Sequence, residues 1–424
     1  MRALIEIKNP KKCCGCHACT NACPKKCIQM LIDDEGFWYP YADKEECIDC
    51  GLCEKVCPII CKWQSDESRK TIAIAAINLN DEIRLGSSSG GIFSLIAEEI
   101  IKQGGVVFGA AFTDDYKSVQ HIYVDNAGDL DKLRGSKYVQ SKIGDTYKQA
   151  KDFLDNGRMV LFTGTPCQIG GLYSYLGKPY ENLFTQDIIC HGVPSPLVWK
   201  KYVEERELKA AAKTQQMFFR HKKYGWKTYA VLFKFSNNTA YVKSFREDSF
   251  MRAFLSNACL RPSCYECSFK TLQRQADITL ADFWGIQNVF PEMDDDKGTS
   301  LVLIHSNKGS ILLRNIEKLI KSKKVGTDII EKLNPAVVVA SAYGKYRDIY
   351  ISEIKFNDVD ELTDKYFPMS FKGRIINIIS KTSIYNVIDM IRRILKNLKI
   401  KSTPEIFSEE TKKAKQHHYF KKRL

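Results

Sequence analysis

Short apolar runs and amphipathic stretches take turns through the middle of the chain, the pattern of alternating strands and helices. Ile72-Ala73-Ile74-Ala75-Ala76-Ile77 is a continuous apolar run of strand length and predicts a buried strand. Gly86-Ser87-Ser88-Ser89-Gly90-Gly91 interrupts it. Apolar positions then recur at helical spacing from Ile92 to Gln103, stopped by Gly104-Gly105, and Val106-Val107-Phe108 predicts the next strand. Val160-Leu161-Phe162 is another, followed by Thr165 as N-cap, Pro166 in the first turn and a helix from Cys167 to Leu176 ended by Gly177. Leu183 to Ile189 predicts a strand, and Ser195-Pro196 opens a helix through Glu207. Strand, helix, strand, helix implies a parallel α/β layer. Tyr229 to Ser244 alternates around Asn237-Asn238 as a hairpin does. From Phe371 to Ile400 apolar residues return at helical spacing, interleaved with Arg392, Arg393, Lys396 and Lys399.

The first 61 residues follow another logic, for they hold eleven of the chain's 16 cysteines. Two runs stand out, Cys13-x2-Cys16-x2-Cys19-x3-Cys23-Pro24 and Cys47-x2-Cys50-x2-Cys53-x3-Cys57-Pro58. This is the spacing by which bacterial ferredoxins hold two [4Fe–4S] clusters, the fourth cysteine of each run serving the other cluster. One cluster then takes Cys13, Cys16, Cys19 and Cys57, and the other takes Cys47, Cys50, Cys53 and Cys23. A disulfide framework wants an oxidising compartment, and structural zinc wants Cys-x2-Cys pairs set apart by a longer loop. Cys14, Cys27 and Cys61 are left over and read as small buried residues, or as one replacing a ligand of its run. Cys27 and Cys61 each follow the fourth cysteine of their run by four residues, the mark of an internal duplication. Gly36-Phe37-Trp38-Tyr39-Pro40, between the runs, fits the strand and aromatic linker of such a module.

The chain of 424 residues carries a net charge of +14, but unevenly. Residues 371–424 hold 14 Lys/Arg and 4 Asp/Glu, so the rest is close to neutral. A uniformly basic nucleic-acid binder is excluded. No window approaches the ~18 uncharged apolar residues of a bilayer helix, and the segment ahead of Cys13 has no signal-peptide core. The expectation is a cytoplasmic chain whose basic tail packs on its own domain, docks an acidic partner, or lies peripherally on an anionic membrane. Gln64-Ser65-Asp66-Glu67-Ser68 reads as a linker. The expected segments are a head at 1–63, a body in two parts at 71–150 and 151–345, and a tail at 371–424.

The body's chemistry is less local. The Ser88–Gly91 turn ahead of a helix offers backbone N–H groups to an anion, and is as readily a plain N-cap and tight turn. Arg134-Gly135-Ser136-Lys137-Tyr138-Val139-Gln140-Ser141 is either a phosphate clamp beside a stacking ring or a solvated loop. Cys167 and Cys190 fall just past strand ends, where open α/β sheets bind ligands. Cys167, at a helix N-terminus, is expected to have a lowered thiol pKa, and is a ligand, a reactive thiol or a packed residue. Cys259-x4-Cys264-x2-Cys267 with Cys190 makes four thiols, a second metal region with zinc as the runner-up metal. Asp277 and Asp282 do not read as a catalytic pair, His191 reads as structural, and no residue is singled out as catalytic.

These motifs carry a resemblance. Ser88-Ser89-Gly90-Gly91, Gly135-Ser136-Lys137-Tyr138, Gly164-Thr165-Pro166-Cys167-Gln168, Cys190-His191-Gly192-Val193-Pro194-Ser195, Phe219-Arg220-x3-Tyr224-Gly225-Trp226, Cys264-x2-Cys267, Ala276-Asp277-Ile278 and Asp282-Phe283-Trp284-Gly285 occur in order. With them the chain resembles the beta subunits of coenzyme F420-reducing hydrogenases and F420-dependent formate dehydrogenases over about residues 85–310. The resemblance implies FAD beside a [4Fe–4S] cluster. It makes Ser88, Ser89, Gly90, Gly91, Ser136, Lys137, Tyr138, Ser141, Gly164, Thr165, Pro166 and Cys167 flavin-pocket candidates. It makes Cys190, Cys259, Cys264 and Cys267 candidates for a third cluster, with Cys167 as a substitute. The expected fold is a mixed α+β and α/β multidomain chain: a ferredoxin-like head, an α/β flavin-binding body and a basic helical tail. The expected function is an oxidoreductase that passes electrons between a ferredoxin-like donor, two or three clusters and FAD. Its acceptor is a two-electron carrier or small molecule, F420-like or other. The alternative is a non-catalytic electron-transfer subunit docking onto a separate reductase or polysaccharide-biosynthesis enzyme. The fused head and the basic tail depart from a minimal hydrogenase subunit.

Overall fold

The computed structural model describes residues 9–61 and 70–381. The chain divides into two units, Met1–Gly373 and Arg374–Leu424, and the features below belong to the first. Of the expected tail helix, Phe371–Ser380 is helical, and the remainder to Leu424 lies outside the described residues.

In the head, β1 (Ile28–Ile32) and β2 (Trp38–Ala42) form an antiparallel ribbon between two short helices, Ala18–Ala22 and Leu52–Lys55. The body is built on an eight-stranded sheet of β3 (Ile72–Asn78), β4 (Val106–Phe112), β5 (Val119–Val124), β6 (Val160–Thr163), β7 (Leu183–Ile188), β11 (Ile278–Asp282), β12 (Ser300–Ile304) and β13 (Ile320–Val325). Their spatial order is β13-β3-β12-β11-β7-β6-β4-β5. A second, antiparallel sheet takes β8 (Thr214–His221), β9 (Ala230–Phe235) and β10 (Ala240–Ser244) in the order β10-β9-β8. The hairpin expected at 229–244 is β9 and β10; β8 extends it.

The strand-helix-strand segment that implied a parallel layer does pair in parallel, β6 beside β7, within a main sheet that is mixed as a whole. Parallel pairing is confined to β4, β6, β7 and β11, while β5, β12 and β13 run against their neighbours. Side chains alternate across the parallel block as the pleat requires. Val107 and Leu161 face the helix Ile92–Lys102 on one side, and Val106, Phe108, Val160 and Phe162 face the helices Thr146–Asp155 and Pro166–Leu176 on the other. The boundary expected at 150/151 falls inside the helix Thr146–Asp155, so both halves of the body share one core.

The helix Pro196–Ala210 anchors the smaller sheet through Trp199, whose ring lies 4.8 Å from Phe219 and 5.0 Å from Phe250. Aromatic pairs of this kind add about 0.5–1.5 kcal/mol beyond their buried area. The head is part of the same fold: Cys16, Ala18 and Val56 are buried with Tyr147, Ile169 and Leu172 of the body.

All four central parallel strands end at one edge of the sheet. That edge carries Gly164–Cys167 after β6, Cys190–Gly192 after β7 and Trp284–Gly285 after β11. Ser88–Gly91 reaches it too, because Asn78 at the end of β3 donates its N–H to the Gly90 carbonyl at 2.8 Å. The segment 140–142 joins at the start of β5, where His121 and Lys142 are hydrogen-bonded through their backbones. Ligands of open α/β sheets bind at such an edge.

Candidate functional site

The head thiols form two groups. Cys57 is brought back to the first run, where its thiol interacts with Cys13, and Cys19 is influenced by both Cys13 and Cys57. Burial pushes the Cys19 and Cys57 thiols above their ordinary range. Cys23, Cys47, Cys50 and Cys53 line a second concavity together with Cys27. Cys27 is buried with its sulfur 3.4 Å from that of Cys23, whereas Cys61 is exposed, contrary to the expectation for it. Among the described residues no three His, Cys, Asp or Glu side chains converge on a single-ion position.

A third thiol group lines a cavity of about 270 Å³ at the sheet edge. Cys167 enters from the first turn of the helix Pro166–Leu176, Cys190 from the end of β7, and Cys264 and Cys267 from the turn Pro262–Glu266 and the residue after it. Cys14 of the head is the fifth sulfur. Lys270 and Arg274 are on the same wall, and the Val193 N–H donates to the Cys264 sulfur at 3.4 Å. Cys259 is not in this group. It is fully buried in the aromatic core around Trp199, and Cys167 stands where the sequence pattern put Cys259. The cause is backbone geometry: the Cys259 carbonyl accepts from Ser195 N–H at 2.8 Å, which commits that stretch to the core ahead of the turn carrying Cys264.

The lowered thiol pKa expected for Cys167 is also overturned. Interaction with the Cys14 thiol and then burial push it well up, outweighing the helix terminus. Cys190 is pushed up to about 12 by burial, with Lys270 acting the other way. The Cys14 thiol interacts with Cys16 on one side and Cys167 on the other. Sequence reasoning left Cys14 without a role; the Cys13-Cys14 doublet was the available signal, since neighbours on an extended segment point to opposite sides.

The flavin-pocket candidates fall into two hydrogen-bonded groups on the same edge. In the first, the Ser88 hydroxyl accepts from Ser136 N–H at 2.7 Å and contacts its hydroxyl at 2.9 Å. Arg220 ties this group together, donating to Tyr138 Oη at 3.2 Å and Ser88 O at 3.4 Å and forming a fork with Asp282 at 2.7 and 3.0 Å. Arg220 and Asp282 belong to motifs seen in the sequence, but no role was read for either. Lys222 donates to Ser89 O at 2.8 Å. A Cβ on Gly90 would lie 2.5 Å from Ala76 O, and Gly91 starts the helix Ile92–Lys102 at φ +82° without a side-chain cap. Lys137 donates to Arg134 O at 2.9 Å, and desolvation lowers its ammonium to about 7 although part of the side chain reaches the surface.

In the second group, Ser141 Oγ contacts His121 Nδ1 at 2.9 Å and accepts from Gln168 Nε2 at 3.0 Å. Gln168 Oε1 accepts from Thr165 N–H at 2.9 Å, closing the capping box around Gly164-Thr165-Pro166, and Thr165 Oγ1 lies 3.1 Å from the Cys167 sulfur. This group therefore abuts the third thiol cavity. Asp277 is occupied structurally by Thr185, and His191 contacts Asn257 at 2.7 Å.

Thiol groups of this kind, with the likeness of the head to ferredoxins, define an iron–sulfur redox protein. An uncharacterized ferredoxin of Methanocaldococcus jannaschii is 38% identical over 56 residues, 71% of its length. Residues 157–328 match the model of the carboxy-terminal region of the coenzyme F420 hydrogenase/dehydrogenase beta subunit. The F subunit of the F(420)H(2) dehydrogenase of Methanosarcina mazei is 22% identical over 173 residues, 39% of this chain. The chain spans about half of that relative's length, 49%. A chain of the F420-reducing [NiFe] hydrogenase complex from Methanosarcina barkeri aligns over 70% of this chain and 97% of its own at 15% identity, with a TM-score of 0.45. Among the described residues no helix is long and apolar enough to cross a membrane.

Proposed function

We propose that the chain is an iron–sulfur flavoprotein oxidoreductase that carries electrons between a protein donor and a two-electron acceptor. The observation that carries the reading is the adjacency of two thiol groups. Cys13 and Cys16 belong to the first head group, while Cys14, between them, lines the third cavity beside Cys167. The donor chemistry fits three [4Fe–4S] clusters: Cys13, Cys16, Cys19 and Cys57; Cys23, Cys47, Cys50 and Cys53; and Cys167, Cys190, Cys264 and Cys267.

For a flavin, the fit rests on Ser88, Ser136, Tyr138 and Arg220 at the uncapped start of the helix Ile92–Lys102, a location suited to a diphosphate. Arg220 Nε is buried without a hydrogen-bond partner among the described residues, so this group has donor capacity to spare. When bound, FAD supplies the junction between one-electron and two-electron chemistry. The chain's residues orient it, while Cys167, in contact with Thr165, lines the third cavity. A deazaflavin such as coenzyme F420 is the acceptor class that the family suggests.

One observation favours the electron-transfer-subunit reading as well. Cys50 is exposed at the second head group, and Ile48 and Leu52 beside it are exposed apolar residues. Such a rim suits a protein redox partner.

Anaerobic purification with metal, flavin and EPR analysis tests the proposal. Three clusters give about 12 iron atoms per chain, with one flavin. Zinc in place of iron, or a protein that binds no flavin, overturns it. Reduction of a deazaflavin by the isolated chain supports the enzyme reading; turnover only with a co-purifying partner supports the subunit reading.

A further inference from the structure

Arg261 is fully buried, and its guanidinium reaches from the body into the head. Nε donates to Cys13 O at 2.8 Å, Nη2 to Trp38 O at 2.9 Å and Nη1 to Gln140 Oε1 at 3.1 Å. Its plane lies over the rings of Tyr39 and Phe37, at 4.2 and 5.4 Å. Neutral acceptors satisfy its hydrogen bonds but leave its charge unbalanced. Other buried arginines have carboxylates: Arg84 pairs with Asp295, Arg220 with Asp282, Arg274 with Asp187 and Arg347 with Glu35. No carboxylate of the described residues is within ion-pair distance of Arg261. The ionisable groups that bear on it most are Cys13, Tyr39, Cys14 and Cys264; the Asp33 carboxylate, Cys167 and His17 also feel its charge, Asp33 from beyond ion-pair distance.

A buried cation without an anion is costly, and the costs of charge burial are met by pairing. Here the candidate anions are thiolates, which these residues become as iron ligands. Cys13 belongs to the first head group and Cys264 to the third, so one guanidinium stands between two candidate clusters. We infer that Arg261 is the buried counter-charge shared by these two clusters and a positioning residue that raises the reduction potential of both. The inference rests on the cluster reading above. Reduction adds one electron, and so one negative charge, to a cluster; no bond forms or breaks and no proton moves. A fixed positive charge nearby stabilises the reduced state relative to the oxidised one, more strongly in a medium of low dielectric than in water. The second head group of Cys23, Cys47, Cys50 and Cys53 is the internal reference.

The test is an EPR-monitored redox titration of the full chain, anaerobically purified, as wild type, Arg261→Gln and Arg261→Lys. Expected is about 12 iron atoms per chain in all three. In Arg261→Gln the first and third clusters become harder to reduce by at least about tenfold, which is about 59 mV for a one-electron couple. The second cluster does not move, and Arg261→Lys stays near wild type because the charge is kept. Unchanged potentials in Arg261→Gln overturn the inference, as do equal falls in Gln and Lys, which would mark a geometric clamp. Should Arg261→Gln fail to hold iron, retention in Arg261→Lys supports the counter-charge, and loss from both variants overturns it. A wild-type protein without iron defeats the cluster reading itself, a result distinct from all of these.

Discussion

Cysteine roles in this chain depend on how far apart in sequence the partners lie. The eight head thiols lie in two short runs, and the spacing within a run is itself the chemistry, so they were legible from sequence. The third group is assembled from a helix start, a strand end and a turn, with a fifth sulfur from the head. No spacing rule could prefer Cys167 to Cys259, because Cys259 is eight residues from Cys267 and Cys167 is a hundred away. Only the pairing of β6 beside β7 puts Cys167 next to Cys190. Substitution separates the two. Cys167→Ser is expected to remove about a third of the iron, one cluster of three. Cys259→Ser should keep the iron and instead lose stability, by roughly 1–3 kcal/mol for a hydroxyl placed in the aromatic core. Metal analysis and thermal unfolding of both variants check this, and iron loss from Cys259→Ser with none from Cys167→Ser would reverse the assignment.

Elements with a buried face announced themselves. The strands at 72–78, 106–112, 160–163 and 183–188 and the helices Ile92–Lys102 and Pro166–Leu176 follow from apolar runs, caps and terminal glycines, whereas the helix Thr146–Asp155 was not read from the sequence. Strand direction was legible for β6 and β7, joined by a helix and parallel, but not for the antiparallel strands, since an apolar run does not encode which neighbour it pairs with. The edge strand β13 had no signal, because Lys321, Lys323 and Lys324 face solvent, as suits an edge that must not recruit another chain. One buried residue between elements also carries a pH dependence. His121 of β5 bridges Ser141 Oγ and Thr163 O, and burial lowers its pKa to about 4. The folded state keeps it neutral where the unfolded chain, near 6.5, takes up a proton. Its contribution to stability is therefore present above pH 6.5 and is lost as pH falls through that value, by about 1.4 kcal/mol at pH 5.5. His121→Gln keeps a donor and an acceptor but does not titrate. Denaturant unfolding at pH 7.5 and 5.5 should show a smaller loss in the variant by about that amount; equal losses would mean that His121 titrates normally in the fold.

At the scale of the first unit, the head is seated on the body rather than tethered to it, and the seat is tight at one helix. A Cβ on Gly171, in the helix Pro166–Leu176, would lie 2.9 Å from Cys16 Cβ and 3.0 Å from its sulfur. The same helix presents Cys167 to the third cavity, so a single element touches the first thiol group and lines the third. The sequence could show Gly170-Gly171 only as weak points in a helix; the fold shows that close approach to Cys16 is what the small residue permits. Gly171→Val is therefore expected to push the head off this helix, at a stability cost of about 1–3 kcal/mol from overpacking, while replacing none of the cysteines. Under the proposed function the variant should still bind about 12 iron atoms and flavin, yet pass electrons from the head to the flavin at least tenfold more slowly. Rapid mixing with a reduced ferredoxin, followed by the flavin absorbance, reads this directly. A wild-type rate in a variant whose stability has fallen would mean that electrons reach the body without crossing this contact, and the adjacency of Cys14, Cys16 and Cys167 would then be packing alone.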